Sequence, residues 1–223
     1  MKRVYLQQRL ISGSLLMLSW LLLSCGTERE EQGIPLPFYN SADFTPEWIS
    51  KSQPEYNNIH EISGFSFQNQ EGEIVDNERL AGKIHVVDFF YTSCPSICPK
   101  MTSNLSKVMQ EFRTDPDVML LSFSVMPWVD SVSVLKSYAD IKGIDANRWH
   151  LLTGPQEEIY ELARTSYFAE KEIGMSKDVN EFLHTENFIL IDEEGRIRGV
   201  YNGTLSLEVT RLISDIRTLQ KLG

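Results

Sequence analysis

"KIHVVDFFYTSCPSICPKM", residues 83–101, is the stretch on which the reading of this chain turns. Its first part, "KIHVVDFFY", is a near-continuous run of β-formers. Such a run predicts a central strand covered on both faces, because a half-exposed strand would alternate with polar residues. Cys94 and Cys98, two of the chain's three cysteines, follow at its carboxyl end. Pro99 then suits the first turn of a helix, where a missing N–H costs nothing. Met101, Leu105, Val108, Met109 and Phe112 continue at helical spacing. The cysteines are thus placed at a strand-to-helix junction, where ligand and redox sites gather in open α/β sheets. A helix N-terminus presents unpaired N–H groups and the positive end of a dipole, both of which favour thiolate. Both thiols are therefore expected to ionise below the ordinary value of about 8.5. Residues i and i+4 on one helical face lie roughly 6 Å apart. That separation permits a disulfide and equally lets two soft thiolates grip Cu(I) or Zn(II). From the residues alone the pair is a structural disulfide, a redox couple or two-thirds of a metal site.

Outward from this stretch the pattern is that of an α/β domain. "EISGFSFQNQEGEIVDNERLAGK" predicts a β-hairpin, with Phe65 and Phe67 alternating with Ser66 and a turn at Glu71-Gly72. "DVMLLSFSV" is a second strand, and "SVSVLKSYADIKG" a helix closed by Gly143. "RWHLLTG" is a short strand, and "PQEEIYELARTSY" a helix opened by Pro155. "NFILIDEEGRIRGVYNG" is a hairpin turning at Glu194-Gly195. In the last helix, "LSLEVTRLISDIRTLQ", Val209, Leu212, Ile213, Ile216 and Leu219 face inward. A parallel first half followed by an antiparallel second half is the thioredoxin-like arrangement, here with an N-terminal β-hairpin extension.

The formal net charge of −10 argues against a nucleic-acid partner, since phosphate contacts need a basic face. The amino terminus differs from the rest. Lys2, Arg3 and Arg9 precede an apolar stretch over residues 10–23, too short for a membrane span of about 20 residues. Basic residues followed by a short apolar segment form a secretory signal pattern. It closes on "LLSCG", which resembles a bacterial lipobox with Cys25 as the lipid-bearing residue; an uncleaved N-terminal anchor is the alternative. The expected organisation is a lipoprotein signal peptide over 1–24, a tether or leader over 25–58 whose second part packs on the domain, and a thioredoxin-like domain over 59–223. Loss of three positive charges with the signal takes the net charge from −10 to −13. Lipidation of Cys25 leaves Cys94 and Cys98 as the thiols of an exported protein tethered to a membrane and facing the periplasm, a setting that is generally oxidising.

A metal site needs a third ligand, and the histidines are His60, His85, His150 and His184. His85 and His150 lie within strands and read as packing residues, and His60 has no partner near it in sequence. His184 stands just ahead of the strand in "HTENFILID". In thioredoxin-like folds the loop entering that strand passes beside the cysteine motif, and thiol oxidoreductases usually place a cis-proline there. No proline follows Pro155 here, so an imidazole is available instead.

The motif "FFYTSCPSICPKM", the segment "HTENFILIDEEGRI" and the flanking "LLTG" resemble the Sco/SenC family over roughly the last 160 residues. These are membrane-tethered, thioredoxin-like proteins that bind copper, as Cu(I) or Cu(II), and assist assembly of the copper centre of cytochrome c oxidase. The resemblance maps the family's C-x-x-x-C-P motif and distant histidine onto Cys94, Cys98, Pro99 and His184. It implies copper as the metal, the copper-bearing oxidase subunit as partner, and another copper chaperone or thiol reductant as a further partner. One segment departs from the family: "VMPWVDSV" stands where D-P-E-R-D-T is common, so Met126, Trp128 and Val129 replace charged residues while Pro127 and Asp130 match. A thiol–disulfide reductase acting on a partner's copper-ligand cysteines is the competing reading, with Cys94 and Cys98 as a redox pair that closes to a disulfide. A peroxidase of the peroxiredoxin kind fits poorly, because Val87 and Tyr91 stand where that class needs proline and threonine.

Overall fold

The computed structural model describes residues 36–169 and 185–222. Its centre is the predicted strand, β5 (Ile84–Phe90), buried at every position. Strand β6 (Val118–Ser124) pairs with it in parallel, placing Val86 opposite Leu120. Strand β7 (Trp149–Leu152) extends the sheet in parallel beyond β6. On the other side β8 (Asn187–Ile191) and β9 (Ile197–Asn202) are antiparallel, giving the order β7-β6-β5-β8-β9. This is the thioredoxin-like sheet, and its parallel half follows from the helical crossovers between its strands.

Alternation along β5 divides the core. Ile84, Val86 and Phe90 face helices α2 (Cys98–Glu111), α3 (Val132–Lys142) and α5 (Ser206–Leu222). Val87 and Phe89 face α4 (Gln156–Thr165) and the hairpin of β3 (Ser66–Gln68) with β4 (Ile74–Asp76). Each large apolar side chain so buried contributes about 1.5–3 kcal/mol. The hairpin turns at Gly72, whose φ of 77° is the left-handed conformation that favours glycine. Its Phe67 and Val75 close the second face, with Phe67 edge-on to Phe123 at 5.9 Å. A single-turn helix, α1 (Asn77–Leu80), capped by Asp76, leads into β5.

The predicted helix ends hold. Gly143 closes α3 in the left-handed conformation, and Gly195, at φ 78°, turns β8 into β9. In α5, Val209, Leu212, Ile216 and Leu219 are buried while Ile213 is only partly so. The second part of the leader packs on β9, through the short strands β1 (Phe38–Tyr39) and β2 (Pro46–Glu47) and a 3-10 turn (Pro54–Asn58). The Arg198 guanidinium lies 4.0 Å over the Phe38 ring and donates to the carbonyls of Leu36 (2.6 Å) and Pro37 (3.0 Å). Arg196 covers Tyr56 in the same way at 4.5 Å. No helix among the described residues is long and apolar enough to cross a membrane.

Candidate metal centre

Strand β5 delivers the chain into the loop of Tyr91, Thr92 and Ser93, and α2 begins at Cys98 with Pro99 in its first turn. The loop is clamped by a carboxylate. Asp130, fully buried, accepts from the Thr92 N–H (3.1 Å), the Thr92 hydroxyl (2.5 Å) and the Ser124 hydroxyl (2.6 Å). A buried carboxylate with three donors is tied down from the end of β6, and it ties the thiol loop in turn. The turn continues with the Cys94 N–H donating to the Tyr91 carbonyl at 3.3 Å. At the other end Thr102 donates to the Cys98 carbonyl (2.9 Å) and meets the Tyr138 hydroxyl (2.9 Å).

These constraints bring Cys94 and Cys98 together. Both are free thiols, only 7% and 4% exposed, within the apolar cluster of Phe90 and Met101. They are not electrostatically equivalent. Burial pushes the Cys94 thiol up, but hydrogen bonds from the Cys98 thiol, the backbone N–H groups of Cys98 and Ser96, and the Tyr91 hydroxyl outweigh it, and Cys94 lies below the ordinary range. Cys98 is pushed up to about 12, by burial first, then by its hydrogen bond to Cys94 and the charges of Cys94 and Asp88. The expectation that the helix N-terminus lowers both thiols is therefore corrected for Cys98. The N–H groups of the first turn are spent on Cys94, and Cys98, at the helix start, points into the core. Pulling Cys94 toward thiolate leaves Cys98 as the proton-bearing partner.

Sequence reasoning did not single out Asp88. It lies on the same face of β5 as Val86 and Phe90, 1% exposed, with a very short hydrogen bond from the Ser122 hydroxyl, which itself accepts from the Trp149 indole N–H at 2.8 Å. Burial raises its pKa to about 7 against the lowering effect of Ser122. A carboxyl raised from 3.8 to about 7 favours the fold fully below pH 3.8 and loses that contribution as pH rises to about 7. The loss is at most about 4 kcal/mol, at 1.36 kcal/mol per pKa unit. Asp88→Asn should therefore be more stable than the parent at pH 8 by about 2–4 kcal/mol in urea unfolding. His85 and His150, both lowered to about 4 by burial, act oppositely: neutral when folded, they cost stability as pH falls from 6.5 to about 4. The variant should accordingly show a steeper acid limb than the parent. A variant no more stable than the parent at pH 8 refutes the buried-charge account.

Two of the sequence-predicted site residues, His184 and Cys25, lie outside the described residues. Among the described residues no three His, Cys, Asp or Glu side chains form a metal-holding group. His85 and His150 are buried core residues, with ring nitrogens near the Lys83 carbonyl (3.3 Å) and the Asn69 amide (3.4 Å) respectively. His60 has a partner remote in sequence: its Nε2 lies 2.8 Å from the Ser166 carbonyl. Beside the thiol loop, the segment that departs from the family pattern exposes Trp128 (58%) and Val129 (40%), while Met126 is partly buried.

The SCO1/SenC family model matches residues 53–221. The chain belongs to that family. Similar solved structures include BsSco, a member of the Sco family of cytochrome c oxidase assembly proteins in which a disulfide switch was identified. It is 32% identical, with TM-score 0.62, covering 74% of this chain and 96% of that one. A SCO1/SenC family lipoprotein from Bacillus anthracis str. Ames is 29% identical, with TM-score 0.63 and coverage of 72% and 95%. ScoI of Bradyrhizobium japonicum, solved with copper bound, is 25% identical, with TM-score 0.56 and coverage of 70% and 98%. The donor set here suits a soft ion: two converging sulfurs in an apolar setting, with no hard oxygen ligand gathered around them among the described residues.

Proposed function

We propose that this chain is a membrane-anchored copper-binding metallochaperone that assists assembly of the copper centre of cytochrome c oxidase. The observation that carries the reading is the pair of buried, mutually hydrogen-bonded thiols at the β5–α2 junction, in a family that includes a copper-bound structure and a cytochrome c oxidase assembly protein. Cys94 and Cys98 supply the sulfurs, and His184 supplies an imidazole from the segment leading into β8. Copper as cargo favours thiolate over thiol, so loading expels the proton that Cys98 holds in the free protein. The apolar surroundings keep water from the sulfurs, and a site of three protein ligands leaves room for a partner's ligand to enter. The partner is the copper-bearing oxidase subunit, and a thiol reductant is needed to keep the pair open. A disulfide between Cys94 and Cys98 removes both sulfur ligands, so redox state gates copper binding.

Copper titration of the reduced domain, with Zn(II) as competitor, tests the reading. One equivalent of copper retained against zinc by reduced protein, and none by oxidised protein, is the expected result. Equal uptake by the two redox forms shows that the thiolates are not ligands.

The unequal thiols also favour a second reading, a thiol–disulfide reductase, in which Cys94 attacks a partner's disulfide and Cys98 resolves the mixed disulfide. Catalytic turnover of a dithiol substrate without copper uptake would select it.

The anchor is lipid on Cys25 after removal of residues 1–24, supported by the lipobox-like "LLSCG" and by a structurally similar lipoprotein. It holds the domain at the membrane facing the periplasm. Intact-mass analysis of membrane-extracted protein should show a lipidated Cys25 terminus; an unmodified Met1 terminus contradicts it.

A further inference from the structure

The turn that leaves β5 brings the side chain of residue 91 back beside that of residue 94, through the Cys94 N–H bonded to the Tyr91 carbonyl. The Tyr91 ring packs against the apolar clusters on both faces of the sheet, which fixes its direction. Its hydroxyl is hydrogen-bonded to the Cys94 sulfur. Nothing in the packing of the ring requires that hydroxyl, since a phenylalanine would fill the same apolar space. A second phenol in the cluster, Tyr138, differs: its hydroxyl is engaged by Thr102 at 2.9 Å.

We propose that Tyr91 is a positioning residue for the dithiol, whose hydroxyl donates to Cys94 Sγ, stabilises its thiolate and so sets the reduction potential of the Cys94–Cys98 couple. The inference rests on the redox gate proposed above and names the group that sets its poise. Reduction by an external dithiol breaks the Cys94–Cys98 bond, takes two electrons from the dithiol and closes the dithiol to its own disulfide. Of the two protons the dithiol releases, one goes to Cys98 and the other to solvent, leaving Cys94 as thiolate. Charge-assisted hydrogen bonds are stronger than neutral ones. The Tyr91 donor therefore favours the reduced side of this equilibrium, where the sulfur is charged, over the disulfide, where it is not.

The test is redox equilibration of the metal-free protein with dithiothreitol at pH 7, on the parent, Tyr91→Phe and Tyr138→Phe, each checked by circular dichroism. Tyr91→Phe should shift the equilibrium about tenfold toward the disulfide, about 30 mV to more negative potential for a two-electron couple. Tyr138→Phe should stay within about twofold. A Tyr91→Phe value within twofold of the parent overturns the proposal, and so does an equal shift in both variants, which would reflect packing alone. A second arm, 3-fluorotyrosine incorporated at position 91, supplies a more acidic donor measured at pH 6.5. It should move the potential in the opposite direction, and an unmoved value overturns the proposal even where Tyr91→Phe folds poorly. Because the readout is metal-free, a failure of copper uptake leaves this inference standing, and a flat potential leaves the copper reading intact.

Discussion

Replacing Cys98 by serine should weaken copper binding by more than about a hundredfold, because loss of a mere outer partner already costs 10–100-fold in metal sites and Cys98 supplies a sulfur directly. The fold should survive: serine is close in size, and its hydroxyl can still donate to Cys94, so the stability change is about 1 kcal/mol. Cys94→Ser should lose copper to the same extent, yet the two variants should differ sharply as thiols. In Cys98→Ser the remaining Cys94 keeps the N–H groups of Ser96 and Cys98 position and the Tyr91 hydroxyl, and stays the reactive nucleophile. In Cys94→Ser the remaining Cys98 loses the neighbouring thiolate that helped raise it, but keeps burial, the largest cause of its elevation. Alkylation by iodoacetamide at pH 7.5 should be slower for that Cys98 than for Cys94 in the other variant by about a hundredfold or more. Comparable rates would show that the two thiols are equivalent and that the asymmetry of the site is absent in solution. Comparable copper retention by either variant and the parent would remove the dithiol from the metal site.

What could be read in the sequence was what is local. The unbroken apolar run of β5, the left-handed glycines at 143 and 195, and the helical spacing after Pro99 each depend on neighbours within a few residues, and each element formed where its pattern placed it. The juxtaposition of Cys94 and Cys98 was legible for the same reason. The proton affinity of Cys98 was not. Spacing places it at a helix N-terminus but says nothing of the Phe90 and Met101 cluster that removes it from water. Asp130 matched the family pattern without revealing its role, because Thr92 lies 38 residues away in the chain. Asp88 hid inside an apolar run, where a single acid is easily taken for an edge residue; only the fully buried register of β5 shows that it is not. The packing of the leader was likewise set from far away, by Arg196 and Arg198 on β9 covering Tyr56 and Phe38.

His184→Ala should leave the described core and the thiol pair unchanged while weakening copper retention, and more for Cu(II) than for Cu(I). Two thiolates alone satisfy Cu(I), a soft ion content with few ligands, whereas Cu(II) draws more on imidazole nitrogen. Loss of a nitrogen ligand should therefore cost Cu(II) affinity by about a hundredfold or more, above the 10–100-fold attributed to outer partners, and Cu(I) affinity by less. The controls are already in the fold. His85 and His150 are buried in strands with pKa values lowered to about 4, so His85→Ala and His150→Ala open cavities and should lower stability while leaving copper affinity near that of the parent. Parallel titrations of the three variants with each copper state separate the possibilities. If His184→Ala holds Cu(I) and Cu(II) as tightly as the parent, the imidazole is a bystander. The dithiol then stands alone, with its nucleophilic Cys94 and protonated Cys98, as a two-cysteine redox centre in which the reductase reading becomes the better account.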